Sequence, residues 1–219
     1  MFESVQIVGR GRVGSAIAAR LEERGVSVRD DGAELVLLSV PDRAISEVAR
    51  SIEPGPWIAH TSGATPLGAL DPHTRRFGVH PLQTFVPGGG AAQLDGSYAA
   101  VTAESEDARE RGFALARTLG LEPFGLADEA RPIYHAGAAI ASNYLVSLHA
   151  VASALFEEAG APPEALVPLM RRTIENGFEL TGPIARGDWG TVDAHRQAIR
   201  RVRPELEPVY EVLAEATAR

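Results

Sequence analysis

The sequence contains no cysteine and no lysine. Without cysteine there is no disulfide, no thiol nucleophile and no Cys-ligated zinc. All 21 basic residues are arginine, so a Schiff base, a lysine general acid and a Walker-type phosphate lysine are excluded as well. Arginine use this one-sided is attributed to a GC-rich genome sooner than to function. The chemistry is left to His, Asp, Glu, Ser, Thr, Tyr, Asn or Arg. No apolar run reaches the length of a membrane span, and Met1-Phe2-Glu3 leads straight into a strand pattern rather than a signal peptide. A formal net charge of −8 argues against a nucleic-acid groove, because phosphate backbones select basic faces. A soluble, cytoplasmic protein is expected. With 219 residues, 45% of them hydrophobic, the chain can bury a core in one domain or two smaller ones.

What is present is organised around Val5-Gln6-Ile7-Val8-Gly9-Arg10-Gly11-Arg12-Val13-Gly14. A strand-type run breaks at Gly9, and Val13, Ile17, Ala18 and Leu21 then recur at helical spacing. The G-x-G-x-x-G between them suits a dinucleotide. Gly9 permits a tight turn, Gly11 lets the backbone approach a pyrophosphate, and Gly14 lets helix pack on strand. The helix N-terminus supplies free N–H groups and a positive dipole end. A structural glycine turn is the alternative reading.

The pattern after this helix is unusual. Residues 26–29 alternate like a short strand, Asp30-Asp31-Gly32 reads as a turn, and 34–40 form a continuous apolar run. Parallel strands in one sheet normally need a crossover of a dozen or more residues, and only about five are available here. The helix and strand that usually complete the first mononucleotide half are therefore missing. Asp30 and Asp31 lie where an acidic residue would hold the adenosine ribose, whereas Arg29 suits a 2′-phosphate; an ordinary turn is a third reading.

Pro41-Asp42 ends the buried strand, with Asp42 as the expected cap of a helix over 43–51. Strands at 57–59 and 76–79 run into His60-Thr61-Ser62-Gly63 and His80-Pro81-Leu82-Gln83-Thr84. Ligands of open α/β sheets bind outside the carboxyl ends of strands. Residues 39–42, 60–62 and 80–84 are therefore site candidates, although a polar residue at a strand end also serves as a plain turn hydrogen-bonder. The loop Pro87-Gly88-Gly89-Gly90 is a connector or a lid. A strand over 98–102, a capped helix over 105–119 and a last strand over 122–126 complete the sheet. A boundary at Asp128-Glu129-Ala130 divides a nucleotide-binding region, 1–128, from an all-helical region, 129–219.

A long helix over 132–158 opens that second region, with an apolar stripe through Ile133, Gly137, Ile140, Tyr144, Leu148, Val151 and Leu155. His135, Ser142 and His149 fall seven apart on a polar stripe bordered by Asn143, fit for a helix–helix hydrogen bond or for substrate. Helices over 162–178, 192–203 and 205–218 follow, with a Gly-rich polar segment at 180–188.

These stretches resemble the DUF2520 family of Rossmann-like proteins, relatives of the 6-phosphogluconate dehydrogenase and F420-dependent NADP oxidoreductase superfamily. The resemblance is carried by GRGRVGSAIA at 9–18, LLSVPD at 37–42, HTSGA at 60–64, GVHPLQTF at 78–85, YHAGAAIASNYLVSL at 134–148 and ELTGPIARGDWGTVDAH at 179–195. It implies an α/β, mostly parallel Rossmann-like sheet followed by an all-α C-terminal domain. It further implies a nicotinamide cofactor, a helical region that dimerises and a substrate cleft between the domains. Related reductases use a lysine on the first helix of the second domain. Their spacing would put it at Ala139, so this chain cannot use that chemistry unchanged.

The expected function is an NAD(P)-dependent oxidoreductase acting on a small carbonyl, hydroxyl or imine compound, with NADP or NAD placed ahead of F420. Gly9, Gly11, Arg12, Val13, Gly14, Val40, Pro41, His60 and Ser62 are expected against the cofactor. His80 or His135 would move the proton, Asn143 would act beside them, and Ser142, Thr181 and Arg186 would bind substrate, Arg186 by clamping a carboxylate. No metal is expected. The alternative is a nucleotide- or metabolite-binding regulatory dimer without catalysis.

Overall fold

The apolar runs of the first half become the strands of one sheet in the computed structural model, which describes residues 1–219. They are β1 (Ser4–Val8), β2 (Ser27–Arg29), β3 (Leu35–Leu38), β4 (Trp57–His60), β5 (Arg76–Leu82), β6 (Tyr98–Ala103) and β7 (Glu122–Gly125). The order across the sheet is β2-β1-β3-β4-β5-β6-β7. Every neighbouring pair is parallel except β5 and β6. The sheet is thus the mostly parallel one expected, in a Rossmann-like arrangement. The chain steps from β1 to β2 on one side and then to β3 on the other, so the direction of winding reverses between β1 and β3. That reversal is where open α/β sheets bind ligands.

The short link after Arg29 is explained by register. Arg29 lies level with Gln6, and Leu35 lies level with Val5 on the other flank of β1. Because β2 stops after three residues, the return to β3 has almost no height to recover. It must cross two strand spacings, roughly 10 Å, well within the roughly 20 Å reach of the linking residues. Glu34 fastens the crossing at the start of β1: its N–H donates to Ser4 Oγ (3.1 Å), and its carboxylate accepts from the Glu3 N–H (2.8 Å). The dozen-residue rule fails here because the strands it connects are not neighbours and one of them is vestigial.

Alternation along the strands buries both faces. Val5, Ile7, Leu35, Leu37, Phe77 and Val101 pack on one face. They meet α1 (Arg12–Glu23) and α3 (Glu106–Thr118), which supply Ile17, Leu21 and Leu115. Val36, Leu38 and Ile58 pack on the other, against Ile45 and Ala49 of α2 (Asp42–Ser51). Arg20 of α1 is buried, donating to the Ala91 carbonyl (2.9 Å) and pairing with Asp95 (2.7 Å), which ties the helix to the 91–94 turn. Ser105 caps α3 by accepting from the Ala108 N–H (3.2 Å). Asp42, expected as a cap, is instead the first residue of α2; the cap position is Pro41, whose ring has no acceptor to offer.

Contacts group the chain into two units, Met1–Ile140 and Ala141–Arg219. The sheet ends just before residue 128, and the first unit runs on through α4 (Arg131–Ala139). The expected regular helix over 132–158 contains a π turn at Ile140–Tyr144 before α5 (Leu145–Glu158). A π turn takes more residues per turn, so the seven-residue polar spacing does not hold through it. The second unit continues with α6 (Leu166–Glu175), α7 (Gly182–Ala185), α8 (Trp189–Val202) and α9 (Glu207–Thr217). Arg196 pairs with Glu211 (2.6 Å), and His195 Nδ1 meets the Tyr210 hydroxyl (2.9 Å), joining α8 to α9.

Contrary to expectation, one helical run, Asp128–Glu158, is long and apolar enough to cross a membrane by length and composition. Its apolar stripe is not the packed side of α4: Ile133 is 76% exposed and Ile140 60%.

The contact of α1 with β1 and β3 rests on Gly14. A Cβ there would overlap the Gly9 carbonyl oxygen and come within 3.2 Å of Ser39 Cβ. Gly14→Ala should therefore cost about 3 kcal/mol in urea unfolding, at the upper end for overpacking. A shift below about 0.5 kcal/mol would show that the turn can open without loss.

Candidate functional site

At the winding reversal, Gly9 leaves β1 with φ +96°, a left-handed conformation that a side chain resists. Its Cβ would also stand 2.6 Å from the Ser39 carbonyl oxygen and 3.0 Å from Val40 Cγ1. Gly9 and Gly14 are thus demanded by the fold itself. Gly11 is not: a Cβ there meets nothing within 4 Å. It occupies the N-cap of α1, no side chain caps that helix, and its first turn holds no acidic residue. The first N–H groups of α1 are left facing open space beside a position free of side chain, which fits a pyrophosphate. Arg12 is exposed in that first turn and Val13 is half-buried. Val40 and Pro41 flank the same turn from the end of β3, where the Ser39 N–H donates to the Val8 carbonyl (2.8 Å).

The second part of the site lies on the opposite half of the sheet and follows from strand register. His60 of β4 pairs with Gly78 of β5, and Gly78 pairs with Thr102 of β6, so the three form one row. Two residues on, and therefore on the same face, His80 pairs with Ala100, which pairs with Phe124 of β7. Helix α4 crosses these rows. Arg131 lies over the first: its Nη1 donates to Thr102 Oγ1 (2.8 Å) and would meet a Cβ on Gly78 at 2.8 Å. Its Nη2 donates to the Ser62 carbonyl. Tyr134, one turn later, lies over the second row, with its hydroxyl 2.8 Å from His80 Nδ1 and its ring at edge-on contact with His80 and Phe124. His135 stands beside it, its ring centroid 6.0 Å from that of His80. Spacing of three and four residues puts all three side chains on one helix face.

The loop after β4 closes the cluster. A Cβ on Gly63 would lie 2.5 Å from His135 Cδ2 and 3.0 Å from His80 Nε2, so glycine is what lets both imidazoles approach the backbone. Ser62 Oγ accepts from the Ala64 and Thr65 N–H groups (3.2 and 3.0 Å) and bonds Thr65 Oγ1 (2.9 Å). Its hydroxyl is thus committed to shaping the loop.

Arg131 has none of its surface exposed, and its nearest carboxylate, Asp128, is 3.9 Å away. Asp128 is itself engaged, accepting from the Leu67 N–H (3.0 Å). This buried cation acts on the neighbouring rings. Burial first, then the charges of His135 and Arg131, push His80 down to about 4, with Asp42 opposing. Burial and Arg131 push His60 to about 3. Desolvation raises the Tyr134 phenol to about 12. At neutral pH His60 and His80 are therefore neutral imidazoles and Tyr134 is a protonated phenol.

Several expected positions differ from what the sequence suggested. His60 was expected against the cofactor; it is fully buried within β4, with both ring nitrogens unpartnered, and faces Gly78 and Arg131. His80 is not at a strand end, because β5 continues to Leu82 by pairing with β6. In the second unit, Ser142 is half-buried in the π turn with a 3.4 Å contact to Asn143, which is exposed. Thr181 occupies the N-cap of α7 without bonding it, and Arg186 follows that helix, exposed. Tyr134 lies in the stretch the sequence singles out, but neither it nor Arg131 is among the site residues expected there. The available signal was an arginine opening a helix, where its charge opposes the dipole unless something else holds it.

Both folded histidines hold their protons less tightly than the free value of 6.5. Between about pH 6.5 and the folded values the unfolded chain binds more protons, so stability is full above 6.5 and falls as acid is added. The urea midpoint should drop from pH 7 to pH 5, with a limiting slope of about 1.4 kcal/mol per pH unit for each ring. His80→Asn should flatten that slope. A midpoint constant across the window would contradict neutral buried rings.

Solved structures share this fold. One is a Bacteroides fragilis protein provisionally assigned as an NADP oxidoreductase, 21% identical, with a TM-score of 0.80 over 99% of this chain and 98% of that one. A protein from Thermotoga maritima is 23% identical, with a TM-score of 0.74 over 98% and 100%. The 1-pyrroline-5-carboxylate reductase of Streptococcus pyogenes is 15% identical, with a TM-score of 0.62 over 98% of each. The fold is therefore one used by NAD(P)-dependent oxidoreductases. No curated protein matches the sequence. A Rossmann-like domain model matches residues 25–85, and the model described as Domain of unknown function (DUF2520) matches 97–217, more than half of the chain. The chain belongs to the DUF2520 family.

Proposed function

We propose that this protein is an NAD(P)-dependent oxidoreductase acting on a small carbonyl, hydroxyl or imine compound. The observation that carries the reading is the β1–α1 turn, where the uncapped helix and the open position at Gly11 fit a dinucleotide pyrophosphate. Gly9, Gly11, Arg12, Val13 and Gly14 would hold the phosphates, and Val40 and Pro41 would border the cofactor. A bound nicotinamide supplies or accepts the hydride. The chain's own contribution is His80, with His135 beside it, hydrogen-bonding the oxygen or nitrogen of the reacting group. Ser142, Asn143, Thr181 and Arg186 are the polar candidates for orienting substrate from the helical unit.

The test begins with binding. Gly11→Val should weaken NADPH or NADH binding at least tenfold while costing the apo fold no more than about 1 kcal/mol, since a Cβ at this position meets nothing within 4 Å. A panel of 2-keto acids, aldehydes and cyclic imines is then screened for turnover. His80→Ala should reduce turnover roughly 10²–10⁴-fold with cofactor affinity barely changed. Unaltered binding in Gly11→Val removes the cofactor assignment, and turnover surviving in both His80→Ala and His135→Ala removes these rings from the chemistry. The short edge strand β2 favours a second reading, a nucleotide-binding regulatory dimer. Tight cofactor binding with no turnover on any panel member would select it.

The same reading includes a homodimer formed through the helical run, in a cytoplasmic protein. Ile133, Ile140, Tyr144 and Val146 are 59–76% exposed along it, an apolar surface that monomers rarely leave uncovered. Light scattering at micromolar concentration should give twice the 23.2 kDa chain mass, and Val146→Glu should shift the population to monomer. A wild-type monomer, or a chain that partitions into lipid vesicles through this helix, would overturn the dimer.

A further inference from the structure

From the contact between the Tyr134 hydroxyl and His80 Nδ1, we infer that Tyr134 is a positioning residue that fixes the tautomer of His80. The imidazole then presents Nε2–H to a ligand whose reacting group is a hydrogen-bond-accepting oxygen. The inference rests on the oxidoreductase reading only for what the ligand does next; the tautomer itself is a property of the apo protein.

A phenol has one proton to give, and Nδ1 of His80 is the acceptor within reach, at 2.8 Å. Two arrangements share that distance. In one, the phenol donates to a bare Nδ1. In the other, Nδ1–H donates to the phenol oxygen, which strands the phenolic proton of a half-buried side chain without a protein acceptor. The first is favoured because an O–H is a stronger donor than a neutral imidazole N–H, and a ring nitrogen is a stronger acceptor than a phenol oxygen. The alternative of a doubly protonated ring is disfavoured by Arg131, whose buried guanidinium lies over the adjacent row of the sheet.

With Nδ1 accepting, the ring proton sits on Nε2. That atom has no hydrogen-bond partner in the chain; it packs over Gly63, and the half-buried ring keeps part of its surface open. A donor in that place, beside a buried cation, suits a carbonyl oxygen or a developing alkoxide. It does not suit an ammonium or a protonated imine, which would bring a second N–H and a like charge. Of the three substrate classes, the carbonyl compound is the one this arrangement selects. The geometry of Tyr134 is held without help from a ligand, since its ring packs edge-on against both His80 and Phe124.

Nitrogen-15 NMR of the full-length protein, labelled at histidine and free of ligand, reads the tautomer directly. The expected His80 pattern at pH 7 is a protonated Nε2 and a bare Nδ1. Tyr134→Phe keeps the ring packing and deletes the hydroxyl, so the pattern should move to a mixture of tautomers or invert. A protonated Nδ1 in the wild type, or an unchanged Nε2–H pattern in folded Tyr134→Phe, overturns the inference. If Tyr134→Phe does not fold, the wild-type spectrum still decides the direction of the hydrogen bond. In the turnover screen, 2-keto acids and aldehydes should be reduced at least tenfold faster than protonated cyclic imines, and Tyr134→Phe should lower kcat with little change in cofactor affinity. A protonated cyclic imine as the best substrate would overturn the ligand class. Absence of all turnover bears on the oxidoreductase reading and leaves the spectrum as the arbiter of the tautomer.

Discussion

A guanidinium with no exposed surface and no close carboxylate is the constraint on which the sheet's second half depends. Arg131 reaches from the first turn of α4 to the Thr102 hydroxyl on β6 and the Ser62 carbonyl beyond β4. Its two Nη groups are bonded and its Nε is not, so the two bonds that hold this buried cation cannot be given up cheaply. The position of α4, the path of the 62–65 loop and the absence of a side chain at Gly78 are therefore one coupled arrangement. Gly78 is small because the guanidinium rests on it. Burial does most to keep His60 and His80 neutral, and the guanidinium charge adds to it.

The β1–α1 turn and the histidine cluster are built in different ways. The turn is made of backbone: two glycines required by packing, a third that leaves room, and a helix end whose N–H groups lack partners. The cluster is made of side chains brought together by register, since His60, Gly78 and Thr102 share one row and His80, Ala100 and Phe124 the next. Helix α4 then needs only its own periodicity to lay Arg131, Tyr134 and His135 over those rows. Such a site is carried by strands and a helix rather than by long loops, which keeps its atoms in place.

Local patterns made much of this legible in the sequence. The turn at Gly9 and the close packing at Gly14 follow from their spacing because each acts within ten residues of the other. The shortened second strand was visible as too few residues before Leu35. What local patterns could not show was which face of a helix turns inward. By hydrophobic periodicity α4 should bury Ile133; in the structure Ile133 is outward and Arg131 inward. Side-chain polarity misled there because the sheet beneath offers polar partners, Thr102 and the Ser62 carbonyl, that lie 29 and 69 residues away along the chain. The burial of His60 has a related cause. A strand-end histidine is a natural ligand contact only if the neighbouring strand also stops, and β5 continues past it. The π turn left no trace in the hydrophobic pattern.

The two margins of the sheet carry a separate consequence. One margin is β2, three residues long, and the other is β7, four residues with Pro123 among them. Exposed margins are where foreign strands add by backbone hydrogen bonding, and both here are poor templates: one is too brief, and the other lacks an N–H in its middle. The sheet is thus closed to growth without being closed into a barrel. Association with other chains is steered away from backbone pairing, which any sequence can imitate, and toward side-chain surfaces, which only a matching partner can fit.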